Sequence, residues 1–400
     1  MRRSALLVAS LALLPPLLLA PPASAAPLIP RASELPGESG IPTASTAPPT
    51  VTLSAANAGT SLASARTYTE TATSVVRTLK AHLTRSLDSA AAYPDSITPI
   101  STRSFQVYQT ELRTDAPKVE VRFRAVGGRY RIWVDGHPIS LSPRKDPGGG
   151  AFYRAKLTFP SRALRNIRFE SDATRFTGFT VTSSDKVALT PAPRKRAVII
   201  GDSITEGARA NARFLGYAHT LCQLAGWTDC WVAGSGGTGY LANGAPAYTN
   251  RVKFRSRIVN DAISRNPNVV LISGGRNDGA FTATQVQSES LALFKQIRSA
   301  LPNAEIIVTS TYPATEREAY NTGLLARSNA IKTSAKGLAN FYLDIMGSAS
   351  YITGNGNAGA PTGGGNSDIY TSSDGVHPTQ AGHNALARQL FKRYKAQLAP

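Results

Sequence analysis

The residues able to do chemistry fall in four glycine-containing islands. Gly201-Asp202-Ser203-Ile204-Thr205-Glu206-Gly207 follows the apolar run AVII and precedes a helical stretch. A serine at such a junction can expose its hydroxyl while the helix N-terminus faces a developing negative charge. Gly234-Ser235-Gly236-Gly237-Thr238-Gly239 follows CWVA, Gly275-Arg276-Asn277-Asp278 follows VVLIS, and Asp374-Gly375-Val376-His377-Pro378 stands just before the last helical stretch. A serine hydroxyl is a weak nucleophile until a base takes its proton, and that base needs a partner to fix its tautomer. Asp and His three residues apart on one loop can supply both.

A scaffold must gather these islands. From 197 onward, strand-like runs alternate with helical stretches: AVIIG then about 207–225, CWVAG then 250–264, NVVLISGG then 284–301, EIIVTST then 323–337, FYLDI then 378–398. Apolar strands separated by crossovers of this length specify a parallel sheet covered on both faces, and reactive groups gather at its carboxyl ends. Between 104 and 182 the pattern changes to six short alternating runs parted by Gly, Pro, Asp and Ser, which argues for a β-sandwich. The expected fold class is therefore α/β: a three-layer α/β/α domain with a parallel sheet, preceded by an all-β sandwich. Arg2 and Arg3, the apolar stretch 5–20 and Ala23-Ser24-Ala25 read as a signal peptide over 1–25. A disordered Pro/Ser/Thr/Ala-rich linker is expected over 26–66, the sandwich over 67–185 and the catalytic domain over 197–400.

In order and at the expected strand ends, the four islands resemble those of the SGNH, or GDSL-type, hydrolases. GDSIT looks like the first block, GRND like a GxND block and DGVHP like a DxxHP block. The preceding sandwich makes the layout similar to two-domain carbohydrate esterases with a jelly-roll ahead of the hydrolase domain. The resemblance implies Ser203 as nucleophile, His377 as general base and then acid, and Asp374 as the carboxylate that orients the imidazole. It implies an oxyanion hole from the backbone N–H of Ser203, a backbone N–H of the second block and the Asn277 amide. Gly236 is chosen in that block, with Gly237 and Gly234 left open. Some carbohydrate esterases of this layout use a backbone carbonyl in place of the aspartate, and this sequence departs from them by having Asp374. Asp202 and Asp278 are expected to bond backbone amides, and Arg276 to be solvated.

Other readings are excluded on residues. The second island fits GxGxxG, but YLANGAPAY follows where a helix should open, and Asp261 lies in a helical stretch. Asp135-Gly136-His137-Pro138 reads as a turn after a strand. There is no GxSxG elbow. His82, His219 and His383 lack spaced partners, so neither metal nor cofactor is expected. Export implies an oxidising compartment, so Cys222 and Cys230 are expected to pair. The formal charge of +19 at pH 7 makes an anionic wall polymer a candidate partner, while no nucleic-acid motif accompanies it and no later segment is long and apolar enough for stable membrane insertion. Trp227 and Trp231 are assigned to packing, and the Gly-rich stretch 354–367 to a flexible loop over or beside the catalytic mouth. The expected protein is a secreted serine esterase acting on short-chain O-acyl groups, acetyl above all, of polysaccharide. A lipid or polyester esterase and a non-catalytic wall-binding protein are the alternatives.

Overall fold

The computed structural model describes residues 29–55, 59–68, 79–84, 107–188, 195–246 and 251–400. The expected signal peptide lies outside the described residues. In chain order the N-terminal strands are β1 (Thr50–Ala55), β2 (Ala65–Tyr68), β3 (Leu79–Thr84), β4 (Val107–Thr114), β5 (Lys118–Arg124), β6 (Arg129–Val134), β7 (His137–Pro138), β8 (Arg144–Lys145), β9 (Phe152–Thr158), β10 (Arg165–Ser171), β11 (Arg175–Thr182) and β12 (Val187–Ala188). One antiparallel sheet has the order β1-β9-β5-β11-β2; the other has β12-β4-β10-β6-β7, with β3 on β4 and β8 on β6. Side chains alternate between faces along each strand. Val119, Val121 and Phe123 of β5 thus meet Tyr130 and Ile132 of β6 and Ile167 and Phe169 of β10 in a dry aromatic core. The turn after β6 places Asp135 and Gly136 both at positive φ, the hairpin geometry that an Asp-Gly pair favours.

The expected linker is corrected by this architecture. Residues 50–55 and 65–68 supply the two edge strands of the first sheet, because their backbones complete the ladders of β9 and β11. Further upstream, the chain straps the C-terminal domain. Ala32 N–H donates to Ala399 O, Glu38 pairs with Arg388, and Leu35 is buried in that domain's core. A low-complexity composition hid these roles, since edge strands and straps need backbone partners more than side-chain periodicity.

The C-terminal sheet is parallel, in the order β14 (Asp229–Gly234), β13 (Arg196–Gly201), β15 (Val269–Ser273), β16 (Glu305–Thr309), β17 (Phe341–Leu343). Ile199, Leu271 and Ile307 face α1 (Tyr217–Leu224) and α7 (Gln380–Lys395). Val198, Ile200, Val270 and Ile272 face α2 (Phe254–Asp261), α3 (Ala283–Ala300) and α5 (Thr322–Ala335). Both faces are buried, which is why these strands read as continuous apolar runs. Cys222 at the end of α1 and Cys230 at the start of β14 form a disulfide, with Cα atoms 6.1 Å apart. Trp227 is buried against Tyr394, and Tyr240 is enclosed by Phe254 and Phe294, so both are core residues.

The two domains meet across the outer face of β6 and β10. Arg131 lies between the Trp133 and Phe214 rings, 4.7 and 4.8 Å from their centroids, and pairs with buried Glu170. Glu170 also accepts from Gln109 and Trp133, so the buried charge is fully engaged. Asp172 accepts from the Arg213 N–H, which pins the loop after Ser203 onto the sandwich.

Leu35→Ala tests the strap. A buried leucine truncated in the core of the α/β domain should cost about 2–3 kcal/mol, whereas a linker residue would cost under about 0.5 kcal/mol. Urea unfolding of the full chain measures the difference.

Candidate active site

β13 ends at Gly201, and the chain turns sharply to present Ser203. That turn needs glycine, because a Cβ at Gly201 would lie 2.0 Å from Thr205 Oγ1 and 2.7 Å from Ser273 O. The loop is stitched by Glu206 N–H to Asp202 O and by Ala208 N–H to Ser203 O. From the far end of the domain, the loop before α7 brings His377 Nε2 to 2.8 Å from Ser203 Oγ. His377 Nδ1 stands 2.9 Å from Asp374 Oδ2. The other carboxylate oxygen accepts from Ser372 Oγ and from the N–H groups of Val376 and His377. Partial burial pushes the Asp374 carboxyl up, but these bonds outweigh it and hold it well below the usual carboxylate range. The imidazole therefore faces an ionised, fully oriented partner.

The glycine loop after β14 runs beside this serine. A Cβ on Gly236 would lie 3.5 Å from Ser203 Cβ and would collide with Arg251 Nη1 at 2.7 Å. Among the described residues, neither the Ser203 nor the Gly236 N–H has an acceptor. Asn277 follows β15 in a short 3-10 turn and donates one amide hydrogen to Thr238 O at 2.9 Å, which aims the side chain and leaves its second hydrogen for another acceptor. Fully buried Asp278 accepts from the N–H groups of Tyr240, Leu241 and Ala242, so it shapes the turn after the glycine loop. Asp202 accepts from the Ile204 N–H. Its burial pushes its pKa up to about 6 against the pull of that bond and of Arg276.

Two expectations change. Arg276 is not solvated: its guanidinium forms a two-pronged pair with Glu318 and donates to Tyr312 O. The 354–367 stretch is a bonded loop in place of a loose one. Asn357 and Asp368 accept from Gly359, Ala360, Thr362 and Gly363, and Ala358 N–H donates to Thr371 O, beside the Asp374 loop.

Sequence reasoning missed two arginines. Arg257 of α2 is fully buried; it donates to Gly201 O at 2.7 Å and Ala233 O at 2.8 Å, and pairs with Asp261. An arginine at i and an aspartate at i+4 inside an apolar helix pattern is the only local signal of it. Arg209, in the loop after Ser203, donates from Nε to Asp374 Oδ2 at 2.9 Å, and no local pattern links residues so far apart in sequence.

Asp202 carries a pH signature. Its folded pKa lies above the ordinary unfolded value, so the folded state binds more protons between about pH 4 and 6, and stability from this group falls as pH rises through that window. Asp202→Asn keeps an acceptor for Ile204. Relative to the native chain, its unfolding free energy should rise by about 2 kcal/mol between about pH 4 and pH 8. Denaturant titrations at both pH values measure it.

Residues 199–385 match the model of the GDSL-like lipase/acylhydrolase family. No curated protein matches the chain. Among solved structures, a family two carbohydrate esterase from Clostridium thermocellum, in complex with cellohexaose, is 20% identical and superposes with a TM-score of 0.53 over 74% of this chain and 96% of that one. An acetyl xylan esterase from the rumen bacterium Butyrivibrio proteoclasticus is 12% identical, with a TM-score of 0.51 over 87% and 98%. A salicylyl-acyltransferase from a tetracycline biosynthetic pathway is 14% identical, with a TM-score of 0.57 over 84% and 97%. At these identities the structures establish a shared fold, in which a β domain precedes the hydrolase domain. The C-terminal domain is thus a GDSL-like lipase/acylhydrolase domain, the domain of an ester hydrolase.

Proposed function

We propose that the chain is a secreted esterase that removes short O-acyl groups, acetyl above all, from polysaccharide through an acyl-Ser203 intermediate. The observation that carries the mechanism is the continuous relay from Ser203 Oγ to His377 Nε2 and from Nδ1 to Asp374 Oδ2, at 2.8 and 2.9 Å. In this reading Ser203 Oγ attacks the ester carbon as its proton passes to His377, and Asp374 stabilises the imidazolium. The N–H groups of Ser203 and Gly236 and the second hydrogen of Asn277 Nδ2 hold the oxyanion. His377 returns its proton to the departing alcohol oxygen. Water then gives up a proton to the same nitrogen as its oxygen bonds the acyl carbon, and His377 passes that proton to Ser203 Oγ as the acyl-serine bond breaks and the acid leaves.

Two observations favour a sugar substrate. The mouth is bordered by the polar 354–367 loop, in which only Ala358, Ala360 and Pro361 are nonpolar apart from glycine, whereas a lipid site wants apolar lid residues. Similar folds include one solved with cellohexaose and one described as an acetyl xylan esterase. The excess of basic residues suits attraction to anionic wall polymer after export.

Ser203→Ala should abolish hydrolysis of p-nitrophenyl acetate while the near-UV circular dichroism stays native. An unchanged rate would remove Ser203 from the mechanism. Asn277→Ala should lower kcat roughly 10²-fold or more with little change in KM. A reversed pattern would make Asn277 a ground-state binder. On a panel of acetylated glycans, acylglycerols and polyesters, acetate release from glycans should exceed release of chains of about eight carbons or more. A preference for long chains or for polyester would transfer the assignment to a lipid or polyester esterase, and inactivity on every ester would leave the wall-binding reading.

A further inference from the structure

The relay has a fourth member on the opposite side of the carboxylate. Asp374 Oδ2, the oxygen that meets His377 Nδ1, also accepts from Arg209 Nε at 2.9 Å. Arg209 is held there at a backbone cost: its φ is +68°, in the left-handed region that a side chain such as arginine seldom enters. A strained residue persists when its surroundings over-determine it, and they do. Gly207 just before it has φ +83°. Ala208 O accepts from His383 Nε2, and Asn211 N–H donates to Gln380 Oε1, which fastens the loop to α7 on both sides of Arg209. The sandwich grips the same loop through Asp172 to the Arg213 N–H and through Arg131 against Phe214.

We propose that Arg209 is a positioning residue that offsets the Asp374 charge and fixes Oδ2 against His377, so that the imidazole remains a neutral base further into the acid range. The inference rests on the serine-esterase reading and deepens it. A bare carboxylate stabilises the imidazolium and so makes protonation of the base easier; a guanidinium on the same oxygen works against that. Of the five donors to Asp374, His377 Nδ1 and Arg209 are the two that meet Oδ2, and Arg209 is the one that carries a permanent charge. Other ionisable groups that act on His377 are buried Asp202, beneath Ser203, and buried His383 on α7; Arg276 and Asp278 act on the first and Arg213 on the second. None of them is altered by a change at position 209, so comparing variants isolates the guanidinium.

The test uses the full chain with Arg209→Gly and Arg209→Lys. Glycine suits φ +68° and relieves the strain, so loss of folding does not confuse the result. One readout is the NMR titration of the His377 ring proton, assigned by its disappearance in His377→Gln. The other is the acid limb of kcat/KM on p-nitrophenyl acetate, at about 0.01 M and about 1 M salt. Arg209→Gly should move both midpoints up by about half a pH unit, the scale of a unit charge acting through water at this separation. Arg209→Lys should restore most of the shift. High salt should bring the native and Arg209→Gly midpoints closer together. Unmoved midpoints in Arg209→Gly, or a change confined to KM, would overturn the proposal. The NMR titration reads the coupling whether or not the chain turns over this ester, so a failed esterase reading and a failed coupling give different results.

Discussion

The active-site end of the domain hangs on one buried cation. Arg257 rises from α2 with no solvent contact and donates to the last carbonyl of β13 and to the carbonyl just before the last residue of β14. Strands β13 and β14 lead into the loops of Ser203 and Gly236. Gly201 O also accepts from the Ser235 N–H at 3.0 Å, so Arg257 adds a second donor there beside its bond to Ala233 O. A guanidinium with a planar fork can meet both at once, and Asp261, one turn further along α2, compensates its charge. The guanidinium thereby adds a rigid cross-link between the strands that lead into the Ser203 loop and the glycine loop.

Above that anchor, each polar group of the site has a fixed second partner. Asn277 is aimed by Thr238 O, Asp278 shapes the turn beyond the glycine loop, and Asp374 is held at Oδ1 by three donors of its own loop while Oδ2 meets the His377 ring. Donors fixed in this way cost no reorganisation when a negative charge appears beside them. The carboxylate is also the point where the β-sandwich gains a bearing on the chemistry. The sandwich holds the loop that carries Arg209 through Asp172 and Arg131, and the same loop touches Asp374. A change at the domain interface can therefore reach the relay through a short, continuous set of contacts.

That interface also explains why the sandwich has an unusual outer face. Along β6 the alternation places Tyr130 and Ile132 inward and Arg131 and Trp133 outward, yet the outward pair is nearly as buried as the inward one. Burial of Arg131 is tolerable because Glu170 answers its charge and two aromatic rings take the place of water on its faces. The N-terminal strap adds a second tether: Leu35 enters the core of the α/β domain before the chain turns back to begin the sandwich at β1.

Much of this was legible in the residues. The apolar strand runs require a sheet buried on both faces, the alternating runs require an antiparallel pair of sheets, and the glycine-flanked islands fall at strand ends because only there does the backbone turn tightly enough to expose a side chain. The four islands that hold Ser203, Asn277, Asp374 and His377 stood out through their order and their resemblance to a family, which left Gly236 open among its neighbours Gly234 and Gly237, and the Cys222–Cys230 pair followed from the two cysteines alone. Tertiary structure alone decided what has no local period. The edge strands 50–55 and 65–68 are held by backbone bonds that any composition can make, and the strap by the long-range partners of Leu35 and Glu38. Arg257 and Arg209 act on groups brought close only by the crossovers: an arginine looks the same in sequence whether it ends in water, under two strand ends or on the carboxylate of Asp374.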